Sequence, residues 1–170
     1  DTICGPEKVE AIPFPKIEDP TISMPFNVND SPLAGKDGKY ITSRHIRDRL
    51  YRELNTDVSL RVEDTDTTDS FKVSGRGELH LSVLIETMRR EGYELCCSMP
   101  HVLFKKINDK TYEPMERVSI DVPDHAVGAV VQKLGARKGE LLEMGKVGSR
   151  TKIEYVIPTR CLFGYRSEFM

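Results

Sequence analysis

The 170-residue chain has no tryptophan, only four cysteines and a formal net charge of −2. Cys4, Cys96, Cys97 and Cys161 form no Cys-x-x-Cys pair and have no histidine cluster beside them, which excludes a zinc ribbon and a disulfide framework. Cys96 and Cys97 are neighbours on a β-prone run, so they point to opposite faces and cannot pair without strain. Free thiols throughout suit a reducing, cytoplasmic setting. No apolar run is long enough to span a membrane, and no signal-peptide pattern is present. The nearly balanced charge gives no global basic signature, so any nucleic-acid surface is local.

Catalytic constellations are missing too. His45, His80, His101 and His125 are scattered over different elements, without a nucleophile or paired carboxylate nearby in sequence. No serine sits in a nucleophile elbow. Asp64, Asp66 and Asp69 lack the glycine and distal glutamate of a calcium loop. Gly75-Arg76-Gly77 lacks the third glycine of the dinucleotide fingerprint and the Gly-Lys-Ser/Thr ending of a P-loop. Free N–H groups at the helix start that follows are able to hold an anion beside Arg76, but tight strand-to-helix packing is the default reading of these glycines.

What is present is a regular alternation of elements. Ile22, Met24, Phe26 and Val28 share one face of a strand, which Pro25 pushes toward an edge or a bulge. Asn29 to Lys39 is a long polar loop, expected to be the least ordered internal segment. Thr42 or Ser43 caps a helix with Ile46, Leu50 and Leu54 inward and Arg44, Arg49 and Arg52 on the opposite side. Val58, Leu60 and Val62 mark a strand over Val58 to Glu63, Asp64 to Asp69 an acidic turn, and Phe71 to Val73 another strand. Leu81, Leu84, Ile85 and Met88 give the next helix, Gly92 its C-cap, and Tyr93 to Cys97 a fourth strand.

After a β-prone run at Val102 to Ile107 and a turn at Asn108-Asp109, the order begins again. Val118, Ile120 and Val122 alternate. Val127, Val130, Val131 and Leu134 are helical, with Gly139 as C-cap and Gly128 and Gly135 aligned for close approach. Leu141 to Val147 and Lys152 to Ile157 are strands, and Cys161 to Met170 reads as a helix. The fold class is therefore α+β: two ferredoxin-like βαββαβ modules, the second truncated before its last strand. The expected units are 1–16 as a linker, 17–98, a connecting hairpin at 99–114, and 115–170. An unfinished sheet would leave an open edge, so the chain reads as part of a longer protein.

Local basic clusters are the chemical signal. Lys133, Arg137, Lys138, Lys146, Arg150 and Lys152 crowd one stretch, and Lys36, Lys39, Arg44, Arg47, Arg49 and Arg52 another. Such clusters contact phosphate without reading sequence. Arg137, Lys138, Lys146, Arg150 and Lys152 are expected to contact phosphate, and alanine at Arg137 and Lys138 is expected to cost little stability.

One resemblance covers nearly the whole chain. Ser74-Gly75-Arg76-Gly77-Glu78-Leu79-His80-Leu81, followed by Met88-Arg89-Arg90-Glu91-Gly92-Tyr93, resembles domain III of the translational GTPases, and within them the TypA/BipA branch of the elongation factor G-like family. Lys16 to Met24 and Thr42-Ser43-Arg44 are similar to the same domain, and Asp1-Thr2-Ile3-Cys4 resembles the last strand of the family's β-barrel domain II, which implies that 1–16 holds the end of a preceding β-barrel. Val118 to Pro123, Gly128-Ala129-Val130 and Gly164-Tyr165-Arg166 are similar to domain V, although Cys161 and Phe163 depart from the usual glycine and isoleucine. Only Val102 to Pro114 stands where elongation factor G has domain IV. The resemblance implies docking on the ribosome, through rRNA and ribosomal proteins, in large-subunit assembly and stress response. Domain III would face the small-subunit shoulder and domain V the stalk base. It implies no enzyme activity or cofactor here: GTP and Mg belong to a GTPase domain outside this chain, which is a further partner, and no membrane is involved. Candidate RNA contacts are Arg44, Arg49, Arg52, Arg76, Arg137, Lys138, Lys146, Arg150, Lys152 and Arg166. The alternatives are an acylphosphatase-like enzyme, which needs an arginine in a phosphate-cradling loop after the first strand, and an ACT-type ligand-binding module.

Overall fold

The structure is a computed structural model that describes residues 3–13 and 17–170. Residues 3–13 form no strand and are exposed; the barrel strand expected at the start lies partly outside the described residues. The first sheet contains β1 (Ile22–Asn27), β2 (Arg61–Asp64), β3 (Ser70–Gly75), β4 (Cys96–Cys97) and β5 (His101–Val102), with α1 (Ser43–Glu53) and α2 (Glu78–Arg90) between them. Its order, β2-β3-β1-β4, is antiparallel throughout, as the ferredoxin-like pattern requires. Ile22 and Phe26 on β1, Ile46 and Leu50 on α1, and Leu81 and Met88 on α2 meet in one core. The Thr42 hydroxyl accepts from the His45 N–H and caps α1. Gly92, at φ +91°, closes α2 with its own N–H on the Arg89 carbonyl and the Tyr93 N–H on Met88.

The fourth strand is not Tyr93 to Cys97. Phe26 pairs with Cys97 and Ile22 with Val102, so the partner of β1 carries one extra residue between those rungs. That is a β-bulge, at Ser98 to Pro100. Pro25 explains it. The Pro25 carbonyl accepts from Ser98 at 3.1 Å, so the N–H that proline lacks would have faced this same break. The expected strand at Val58 begins only at Arg61. Asp57 accepts from the Ser59 N–H and hydroxyl and bends the chain, leaving Val58 exposed and Leu60 buried.

Two strands, β6 (Lys105–Ile107) and β7 (Lys110–Tyr112), form a separate two-stranded sheet. The third sheet, order β8-β10-β9, is built from β8 (Met115–Pro123), β9 (Glu140–Val147) and β10 (Arg150–Pro158), with α3 (Val127–Ala136) after a 3-10 turn at Asp124–Ala126. Ile120, Val130, Leu134, Ile153, Tyr155 and Ile157 make its core. Three expectations change here. The single helix at Cys161 to Met170 is two short ones, α4 (Thr159–Leu162) and α5 (Tyr165–Phe169), broken where Gly164 turns left-handed at φ +73°. The left-handed residue that ends α3 is Lys138, at φ +64°; Gly139 is needed because a Cβ there would lie 2.9 Å from the Leu134 carbonyl. Gly128 and Gly135 face open space, so nothing approaches along their line.

Phe163, between α4 and α5, packs against the core of the first sheet. Arg160 pairs with Glu113 at 2.8 Å, and Thr159 bonds the Pro114 carbonyl, so the two modules meet at this segment.

Contrary to the expectation above, Arg49 does not lie on the outer side of α1: three residues after Ile46 it stands at the flank of the apolar face, and it is only 5% exposed. Its Nε and Nη2 donate to Glu91 at 2.5 and 2.8 Å, and its Nη1 to Glu53 at 2.6 Å. The helix turns it inward because Glu91, at the end of α2, offers a bidentate partner that solvent screens little. Arg49→Ala is expected to cost about 3 kcal/mol, the low end for a broken buried pair, because both carboxylates keep some solvent. Arg49 holds the Glu91 carboxyl below its ordinary value of 4.5. A carboxyl whose folded pKa is depressed stabilises fully above its unfolded pKa and loses that contribution as pH falls through the folded value. The gap between wild-type and variant urea midpoints should therefore be wide near neutral pH and shrink as the pH falls below the ordinary carboxylate range. Equal midpoints at neutral pH would show that the tie carries no stability.

Candidate nucleic-acid interface

The ten cations singled out from the sequence do not form one surface. Arg44 stands on the first turn of α1, with its side chain 90% exposed and 4.0 Å from Asp48. Together with Arg47, which pairs with Asp64 at 2.9 Å, it lines an open cleft of about 500 Å³ whose far wall is Thr65, Thr67 and Thr68. Arg52 is exposed, 3.6 Å from Glu91. Arg76 is exposed with no carboxylate partner among the described residues. Its backbone N–H is taken by His80 Nδ1 at 3.2 Å, while His80 Nε2 bonds Asp57, so that amide is not free for an anion and the histidine is fully used by the fold.

The second cluster splits four ways. Lys146 lies opposite Thr151, on the helix side of its sheet, and pairs with Asp124 at 2.8 Å. Arg150 and Lys152 lie on the other face, where Asp121 and Glu154 hold them at 2.8 and 2.9 Å. Arg137 is not an exposed contact. Its Nη1 donates to the Cys161 and Phe163 carbonyls at 2.8 and 3.2 Å, its Nη2 to Glu168 at 2.7 Å, and it lies over the Tyr165 ring. Lys138 is exposed and unpaired, at the opposite end of β10 from Arg150, on the order of 20 Å away by strand rise. Its charge helps Arg160 hold the Glu113 carboxyl below its ordinary value. Arg166 is exposed and has no carboxylate partner among the described residues.

Surface pairs contribute little and exchange readily, so a cation without a partner is the one most open to phosphate. Among the described residues these are Lys36, Lys39, Arg76, Lys106, Lys110, Lys138 and Arg166. Lys106 and Lys110 are not among the ten; the Asn108-Asp109 turn between two short β-prone runs is the signal that places them on one hairpin.

The 29–39 loop is not loose. Glu94 accepts from the Asn29 amide at 2.6 Å and from the N–H groups of Gly35, Asp37 and Gly38 at 3.0 to 3.1 Å. The Gly35 N–H, then the Asn29 amide, hold its carboxyl below the ordinary value. Converging N–H groups of this kind make a cradle for an anion. Here an internal carboxylate fills it, and the loop has no arginine, so the phosphatase alternative loses its site.

Comparison with known proteins places this geometry. The family model described as elongation factor G C-terminus matches residues 110–170. Large ribosomal subunit assembly factor BipA of Salmonella typhimurium is 56% identical over 171 aligned residues, spanning the whole of this chain and 28% of its own. The protein of that name from Escherichia coli K12 is 54% identical with the same coverage, and that from Synechocystis 52% identical with 29% of its length covered. The chain belongs to the TypA/BipA family. It spans less than a third of the length of these BipA relatives. A solved chain from Thermus thermophilus superposes on 91% of this one and 38% of its own with TM-score 0.49 and 16% identity.

In this BipA-family chain, Phe163 is the side chain docked on the first core, and Arg137 fixes the backbone on both sides of Leu162. Arg137→Ala leaves two carbonyls without their donor, at an expected cost of about 1–3 kcal/mol. This reverses the expectation of a near-neutral change. Thermal unfolding should show the loss, and Arg137→Lys should recover only part, since ammonium cannot reproduce the guanidinium fork. An unchanged melting temperature would show that this segment holds itself.

Proposed function

We propose that the chain is the ribosome-docking part of a BipA-type GTPase acting in large-subunit assembly. The observation that carries this is identity of 52–56% across the whole chain with proteins named large ribosomal subunit assembly factor BipA. GTP and Mg would be held by a GTPase domain formed by other residues of the full-length protein, so this part catalyses nothing and serves as that domain's partner in the cytoplasm. The 17–98 unit faces the small-subunit shoulder and the 115–170 unit the stalk base. The primary phosphate contacts are Arg76, Lys138 and Arg166, whose charges are unpaired. Arg44, Arg52, Lys146, Arg150 and Lys152 add to them by exchanging a surface carboxylate for a phosphate, which costs little. Arg49 and Arg137 act only through the fold.

Full-length protein should co-sediment with ribosomes, more weakly as salt rises. Replacing Lys138 and Arg166 with glutamine should flatten the logarithmic salt dependence by up to about two and leave the melting temperature nearly unchanged. The chain on its own should not hydrolyse GTP. Absence of co-sedimentation at any salt concentration would overturn the reading.

A further inference from the structure

A hairpin without a core of its own projects where the modules meet. β6 and β7 pair only with each other, through Lys105↔Tyr112, Lys106↔Thr111 and Ile107↔Lys110, and every one of these residues is exposed. A lone two-stranded hairpin is marginal in water, so its order comes from its turn and its roots. Asn108 and Asp109, at φ +50° and +59°, supply the two left-handed residues of a tight hairpin turn. At one root Leu103 donates to the Thr21 carbonyl at 2.8 Å and Lys105 pairs with Asp19 at 2.9 Å. At the other, Glu113 pairs with Arg160 and the Pro114 carbonyl accepts from Thr159.

Residues directly opposite across strands share a face. Lys105, Ile107, Lys110 and Tyr112 therefore make one face, and each rung sets a lysine against an apolar or aromatic side chain. Lys106 and Thr111 lie on the other. Tyr112 leaves half of its surface open to solvent. Residues 103–112 carry three lysines against one aspartate, and Lys106 and Lys110 have no carboxylate partner among the described residues. Cations that reach phosphate, interleaved with a ring that can stack on a base, are what a nucleic-acid strand complements. An acidic protein surface would pair with the lysines and leave the tyrosine unmatched.

We infer that this hairpin is an RNA-contact element, with Lys110 on a backbone phosphate and Tyr112 against an unstacked base on one face, and Lys106 reaching a neighbouring phosphate from the other. The inference rests on the ribosome-docking reading for the source of the RNA, and deepens it by adding a surface between the two modules. The test uses full-length protein and two probes, salt-washed ribosomes and a fluorescent stem-loop RNA oligonucleotide. On both, Lys106→Gln with Lys110→Gln should flatten the salt slope by about 1.5. Tyr112→Ala should weaken binding about fivefold or more and Tyr112→Phe restore it, because stacking needs the ring and not the hydroxyl. Melting temperatures should stay unchanged, since these side chains have no core to lose.

Ribosome binding with affinity and slope unaltered in the variants would reject the hairpin and leave the docking reading standing. Weaker ribosome binding with an unaltered slope and normal oligonucleotide binding would place the hairpin on a ribosomal protein and overturn the inference. Wild-type protein that ignores ribosomes yet binds the oligonucleotide with the expected variant pattern would sink the docking reading and keep the hairpin. Binding to neither probe would overturn both.

Discussion

Pairing of charge governs this molecule. With 25 basic and 27 acidic residues, most cations find a carboxylate within the chain. Where that pairing is shielded from water it shapes the fold: Arg49 ties the last turns of α1 to the end of α2 through Glu53 and Glu91. Where it is exposed it contributes little and yields to competitors. The few cations left over are then the ones a polyanion meets first, and several of them, Lys106, Lys110 and Lys138, lie on or near the hairpin between the modules. A surface of this kind binds locally and with strong salt dependence, without any global positive charge.

The joint depends on the same matching of donors to acceptors. Arg137 takes two carbonyls and Glu168, sets the turn at Gly164, and so delivers Phe163 to the first core. Glu113 takes Arg160 and anchors the hairpin root beside it. One short segment thus orients the second module, the hairpin and the unpaired Lys138 together. The Phe163 ring is large enough to reach across to a neighbouring core.

Much of the fold was legible in the sequence because burial has a period. Ile22, Phe26, Leu81, Met88, Ile153 and Tyr155 all lie where alternation or helical spacing put them. Pro25, expected at an edge or a bulge, sits on a central strand opposite a bulge that absorbs its missing donor. The errors fall where tertiary contacts override local pattern. Val58 alternates with Leu60 and Val62, yet Asp57 bends the chain and leaves it outside. The 29–39 loop has a polar, mobile composition, but Glu94 lies more than fifty residues away in sequence, and no local pattern announces that its carboxylate organises the loop. The candidate contacts were less legible than the fold. Arg49 and Arg137 look like any surface arginine in a string of letters, and only the positions of their acceptors show them turned inward. Strand alternation separates Lys146 from Lys152 onto opposite faces, although they lie in one basic run.

The central claim is that unpaired cations make the primary contact with RNA, and paired ones add to it only by giving up a carboxylate. Amine-reactive footprinting of full-length protein, free and ribosome-bound, reads each lysine separately by mass spectrometry. The account predicts strong protection of Lys106, Lys110 and Lys138 on binding, and little change at Lys72, which Glu63 holds on the first sheet. Protection concentrated on the paired Lys146 and Lys152, with Lys106, Lys110 and Lys138 as reactive as in the free protein, would contradict it.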